Sequence, residues 1–160
     1  VHVSVGLGII ALLAVLVALW GGLAPFVGPS FGYDANGSAA LYWDVDRAVL
    51  NVVPAALGLI GGLTLLGLAS SWRQRLGHWG MGFGGGAMLL AGLWLIVGPF
   101  CWSAARGRPY FVGGSSWRHA ESVLGLDVGP GIVLAVLGAG VLGYLACARA
   151  LGAPTGTTRW

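Results

Sequence analysis

Four residues of this chain have types that could do chemistry together: His119, Glu121, Asp44 and Asp46. An imidazole and three carboxylates suit a divalent metal, or an acid–base pocket if they converged. Solvated loop charges are the other reading of the same four, and no metal site is assigned to them. The two cysteines, Cys101 and Cys147, form no C-x-x-C motif. They end two apolar stretches that run in opposite directions, so they belong on opposite membrane faces. A disulfide needs Cα atoms within about 7 Å, which makes both inert packing residues and excludes a thiol oxidoreductase. His2, His78 and His119 fall outside the apolar stretches, whereas haem held by two histidines in a bundle needs them facing inside it. No ionisable side chain lies deep in an apolar stretch, so the buried carboxylate of a proton-coupled transporter is missing. Asp46 and Arg47 sit at an edge, and Ser4, Asn51 and Thr64 are the polar groups within the stretches. A polar pore from one subunit is therefore not expected. Asn36-Gly37-Ser38 matches a glycosylation sequon and reads more simply as an Asn-Gly turn. No catalytic residue and no cofactor follow from these residues.

The elements that carry them are dictated by composition. Of 160 residues, 57% are hydrophobic and only 8% charged, against about 25% charged in soluble domains. The charges are also segregated. No Asp, Glu, Lys or Arg occurs before Asp34, between Arg47 and Arg73, between Arg75 and Arg106, or between Asp127 and Arg149. A helix rises about 1.5 Å per residue and needs roughly 20 residues to cross the hydrocarbon layer. Each gap suffices, which predicts spans at Val5–Ala24, Ala48–Ser70, Gly80–Cys101 and Val128–Cys147 and an all-α membrane protein of four transmembrane helices. The first stretch lacks a positive leading region and is too long for a signal peptide, so it reads as a retained span. The connections near 31–46 and 103–126 are too short for a core of their own.

The net charge of +3 comes from arginine alone, and its scatter makes no nucleic-acid patch. An all-arginine, glycine- and alanine-rich chain suits a GC-rich bacterial genome. Arg73, Arg75, Arg149 and Arg159 lie on one side of the membrane, and Arg47, Arg106, Arg108 and Arg118 on the other. The arginines thus balance, but all five acids lie in the two longer loops. The expectation is a multi-pass bacterial plasma-membrane protein with both termini cytoplasmic and both longer loops outside.

The chain also repeats itself. Leu19-Trp20 and Ala24-Pro25-Phe26 recur as Leu93-Trp94 and Gly98-Pro99-Phe100 at an offset of 74, and Trp43 then meets Trp117. Beyond a two-residue insertion near Gly125–Gly129 the offset is 76: Pro54 meets Pro130, Gly62 meets Gly138 and Arg73 meets Arg149. The division is hairpin 1 at 1–74, hairpin 2 at 75–151 and a polar tail at 152–160. Each copy crosses the membrane twice, so the copies are parallel repeats about a pseudo-twofold along the membrane normal. At offset 74 Asp34 falls opposite Arg108, Asp44 opposite Arg118 and Arg47 opposite Glu121. Pairing of the copies through these swapped charges is one reading, chance in a slack loop alignment the other.

At Trp20 through Pro25-Phe26 and Trp94 through Pro99-Phe100 the chain resembles the SPW-repeat membrane proteins, small bacterial proteins with a two-helix repeat. The resemblance covers both hairpins. Ala24-Pro25-Phe26 and Gly98-Pro99-Phe100 stand where that family has Ser-Pro-Trp. It implies a bacterial membrane location and brings no activity or catalytic residue.

Helices in lipid associate through close packing of small residues. Gly58 and Gly62, Gly84 among the glycines opening the third helix, and Ala139 with Gly143 are the expected contacts, within the bundle or at a homodimer seam. Trp20, Trp43, Trp79, Trp94, Trp102, Trp117 and Tyr42 cluster near span ends, as an interfacial aromatic belt does; a ligand-binding cage is the alternative. Two classes of function follow as expectations. One is a non-catalytic accessory or structural subunit that associates laterally with other membrane proteins or itself. Its outer recognition surface would be Tyr33, Trp43, Asp44, Asp46, Arg47, Arg108, Tyr110, Phe111, Trp117, Arg118 and Glu121. The other is a small oligomeric permease, channel or lipid-handling protein, which would line a polar cavity with Asn51, Thr64 or Asp46.

Overall fold

A computed structural model of the chain describes residues 2–31, 41–70, 77–107 and 124–152. Among them no strand occurs, and four helices are long and apolar enough to cross a membrane. They are α1 (His2–Val27), α2 (Val45–Ser70), α3 (Gly77–Arg106) and α4 (Gly129–Gly152). The chain is an all-α tetraspan, and its apolar helices mark an integral membrane protein. The outward faces carry large apolar side chains such as Leu12, Leu16, Val97 and Val136, which lipid accepts and water does not.

The helices overrun the spans read from the charge-free gaps. The first continues through Pro25 and closes in a 3-10 turn at Gly28–Phe31. Asp44, in extended conformation, caps α2 by accepting from the Asp46 N–H at 3.4 Å, a long bond that still occupies one of the donors a helix start leaves free. The third helix runs through Pro99 to Arg106. It stops at Gly107, whose φ of 60° is the left-handed conformation that ends helices. Single π-helical turns occupy Ala48–Val52 within α2 and Leu124–Val128 just before α4.

Contacts place the ends. Leu41 N–H donates to the Phe26 carbonyl at 3.0 Å, and Trp102 reaches Asp46. Phe31, Leu41, Arg106 and Leu124, which flank the undescribed residues 32–40 and 108–123, therefore lie toward the same end of the bundle. At the other end Gly80 lies against Leu68 and Gly82 against Leu145. Cys101 and Cys147 sit toward opposite ends, both exposed.

Adjacent helices pack closely along α1–α2, α2–α3 and α3–α4, and more loosely along α1–α4. The core is Ala11, Ala14, Ala18, Leu65, Met88, Ala91, Leu95, Leu134 and Val141. Around it backbones approach at glycine. A Cβ on Gly61 would lie 2.8 Å from the Gly84 carbonyl oxygen, and one on Gly62 3.3 Å from that of Ala11. Gly58 is buried where α2 meets Ala18, Ala91 and Leu134. In α4 the packing positions differ from those expected. Ala139 and Gly143 are exposed, with nothing within 4 Å of a Cβ at Gly143. The inward face instead carries Gly131, Leu134, Gly138, Val141 and Leu145, at three- and four-residue steps. Ala139 follows Gly138 by one residue, about 100° around the helix, and turns outward.

A Cβ at Gly138 would come 2.5 Å from the Leu89 nitrogen and 2.6 Å from the Gly85 oxygen, whereas Gly140 has nothing within 4 Å. Gly138→Ala should therefore destabilise the bundle by about 1–3 kcal/mol, and Gly140→Ala should be neutral. Unfolding of both variants in mixed micelles checks this; equal effects would contradict the packing.

Candidate functional site

The end from which the longer loops leave holds the ion pair and the aromatic contacts seen among the described residues. Of the expected recognition residues, Trp43, Asp44, Asp46 and Arg47 are described. Tyr33, Arg108, Tyr110, Phe111, Trp117, Arg118 and Glu121 lie outside the described residues, as does His119. Each charge-swapped pair has at least one member there.

Three consecutive features of the entry to α2 set the geometry. Leu41 has φ of 58° although it is not glycine, a costly conformation for such a residue. Its N–H bond to Phe26 holds the turn in place. The Trp43 ring stacks on Phe26, with centroids 5.7 Å apart and planes at 19°. The Arg47 guanidinium donates to the Tyr42 carbonyl at 2.8 Å and lies 5.7 Å from the centre of the same Phe26 ring. Arg47 thus ties the start of α2 back to the end of α1.

Asp46, one residue earlier and about 100° around the helix, points the other way. Its Oδ1 accepts the Trp102 indole N–H at 2.8 Å and lies 3.2 Å from an Arg106 nitrogen. The Arg106 guanidinium also covers the Trp102 ring at 4.9 Å. Asp46 and Arg106 are 40% and 42% exposed, so solvent screening holds the ion pair to about 0–1 kcal/mol. The indole bond is the more valuable contact, since losing its acceptor strands a half-buried donor. A carboxylate in the first turn of α2 also suits the positive end of the helix dipole.

Sequence reasoning named Asp46 but not its partners. Ending the third span at Cys101 put Arg106 in a loop. With the helix extended, Trp102 and Arg106 stand four apart on one face, a spacing that would have flagged them. Phe26 was read only as part of a repeated Pro-Phe pair.

The contacts described join α1 to α2 and α2 to α3. Among the described residues no group of three His, Cys, Asp or Glu could hold a metal. Thr64 donates to its own helix at the Ile60 carbonyl, 2.7 Å away, and Asn51 is buried and partnered. Asp46 and Thr64 are 18 positions apart on α2, about 27 Å of rise, so they do not meet. What the site offers outward is apolar and aromatic: Phe31, Leu41, Tyr42 and Trp43 are 57–80% exposed. Comparisons with protein-family profiles, with curated proteins and with solved structures find no match to this chain.

Asp46→Asn retains an acceptor for Trp102 and should cost less than about 1 kcal/mol. Asp46→Ala strands the indole N–H and should cost about 1–2 kcal/mol. Unfolding titrations of the two variants separate the hydrogen bond from the charge. An equal loss in both would mean that charge, not the indole bond, carries the contact.

Proposed function

We propose that this chain is a non-catalytic accessory subunit of a bacterial plasma-membrane assembly. It docks through the aromatic end of the bundle and associates laterally with other membrane proteins or with further copies of itself. One observation carries the reading: the aromatic surface is exposed, yet its backbone is pinned. Leu41 is bonded to Phe26, Tyr42 to Arg47, and Trp43 is stacked on Phe26. Rigid, exposed aromatic groups are the composition of interface hot spots, because little conformational entropy is lost when they are covered. The belt alternative assigns the same rings to lipid headgroups. It does not explain why a strained turn is tied down beneath them.

The orientation with termini cytoplasmic belongs to the same proposal. It is supported by the acid-free segment carrying Arg73, Arg75 and His78 and by the confinement of all five acids to the longer loops and the helix starts that follow them. Membership of the SPW-repeat proteins is likewise proposed, on the repeated Trp, Pro and Phe positions alone.

The test is purification of a chromosomally tagged chain in mild detergent, beside Trp43→Ala and Tyr42→Ala variants whose helicity is checked by circular dichroism. The expected result is one complex of fixed stoichiometry, weakened at least tenfold in the variants, about 1.4 kcal/mol. A complex, with other proteins or of the chain alone, that is indifferent to both substitutions would remove the docking reading and direct attention to transport. In a cysteine-free background an impermeant thiol reagent should label Ser38→Cys in intact cells and spare Thr155→Cys. The reverse pattern inverts the orientation.

A further inference from the structure

The two π-helical turns lie 76 residues apart, Ala48–Val52 and Leu124–Val128. In a π turn each carbonyl accepts from the N–H five residues on, as Ala48 does from Val53. The next carbonyl in that register, Val49, would look to residue 54, which is Pro54 and has no N–H. By the same count the Gly125 carbonyl looks to Pro130. An α register would set each proline ring against the carbonyl four residues back, so the wider turn suits these sites. It leaves two peptide oxygens without a helical donor, near the ends of apolar spans where water is scarce.

Both oxygens are filled from the other hairpin. Trp94 Nε1 donates to the Val49 carbonyl at 2.9 Å, and Trp20 Nε1 donates to the Gly125 carbonyl at 3.0 Å. The donors are 74 residues apart and the acceptors 76, the two offsets of the sequence repeat. Each hairpin gives one indole and receives one.

Two buried contacts point to the same relation. A Cβ on Gly21 would lie 3.7 Å from Leu95 Cδ1, and one on Gly58 3.1 Å from Leu134 Cδ1. Residues 21 and 95 are equivalent at offset 74, and residues 58 and 134 at offset 76. A position that touches its own equivalent lies on a twofold axis. In both pairs hairpin 1 supplies glycine and hairpin 2 a fully buried leucine. Two identical hairpins would set leucine against leucine, or leave a void between glycines.

We infer that the chain is a fused heterodimer of hairpins. Each half recognises the other through one indole donor, one carbonyl orphaned by proline, and one side of two glycine–leucine fits. The partner this surface takes is the complementary hairpin, not a second copy of the same one. This rests on contacts inside the bundle and stands apart from the accessory-subunit reading.

A double-mutant cycle on the full chain in bicelles tests it. Trp94→Phe keeps the ring and removes the donor. It should lower the folding equilibrium constant about three- to tenfold. Pro54→Ala restores a backbone donor to Val49 in either register, so in that background the Trp94→Phe loss should shrink to less than about twofold. Pro130→Ala should leave that loss intact and instead relieve Trp20→Phe. An unchanged Trp94→Phe loss in the Pro54→Ala chain, or equal relief from Pro130→Ala, overturns the inference. As a second measurement, Leu134→Gly should destabilise at least tenfold and Gly58→Leu/Leu134→Gly should recover most of it. A double variant no more stable than Leu134→Gly, or one that fails to fold, also overturns it.

Discussion

Inside hydrocarbon a peptide group has no water to fall back on, so every backbone oxygen needs a donor within the protein. That constraint organises the half of the bundle nearest the longer loops. Pro54 and Pro130 take a donor away near the starts of α2 and α4, where water stands closest and a missing bond is least costly. The chain responds by widening one turn, and an indole from across the bundle closes the gap. The same tryptophans keep their rings toward lipid, Trp20 at 58% and Trp94 at 40% exposure. One side chain thus meets two requirements: its ring lies in the apolar layer, and its N–H is spent on the protein.

Away from that end, association depends on how near two backbones can come. The closest approaches recur at equivalent places. Gly62 of α2 sits over the Val15 nitrogen and the Ala11 oxygen, and Gly138 of α4 over the Leu89 nitrogen and the Gly85 oxygen. The second approach is nearer, 2.6 Å against 3.3 Å to the oxygen, because Gly85 stands where hairpin 1 has Ala11 and its methyl. Substitution also accounts for the looser seam. Along α2–α3 Gly61 meets Gly84 backbone to backbone. Their equivalents in α4 and α1 are Leu137 and Ile10, both partly buried against the core. Two bulky side chains where the other seam has two glycines hold α1 and α4 further apart.

How much of this was legible follows from the physics of each feature. Charge-free gaps located all four helices, because a charge in lipid is so costly that its absence is a strong signal. The helix ends were read short, since Trp, Pro and Ser mark the interface without stopping a helix there. Arg106 was lost to a loop for that reason, and with it the Asp46 contact. The outward phase of Ala139 and Gly143 was misread because glycine spacing alone has two solutions in α4. The seven-residue spacing of Gly131 and Gly138, matched by Gly85 and Gly92 in α3, was the better guide. The roles of Trp20 and Trp94 were hidden for another reason: an indole satisfied by a carbonyl and one satisfied by headgroups look alike in sequence.

The twofold relation also shows where the halves cease to match. The Trp20 and Trp94 bonds have counterparts, and the ties around Asp46 do not. Trp102 and Arg106 correspond at offset 74 to Gly28 and Gly32, and Asp46 to Ala120, or to Ser122 at offset 76. Only hairpin 1 contributes the carboxylate, and only hairpin 2 the indole and guanidinium that hold it. A contact that keeps no symmetry belongs to one seam, between α2 and α3, beside the exposed Tyr42 and Trp43. The asymmetry therefore concentrates at the end of the bundle that presents Tyr42 and Trp43. The Asp46 contact stiffens the start of α2, which presents Tyr42 and Trp43. That is the physical reason the proposed docking is to be tested at the start of α2 rather than along the lipid-facing helices.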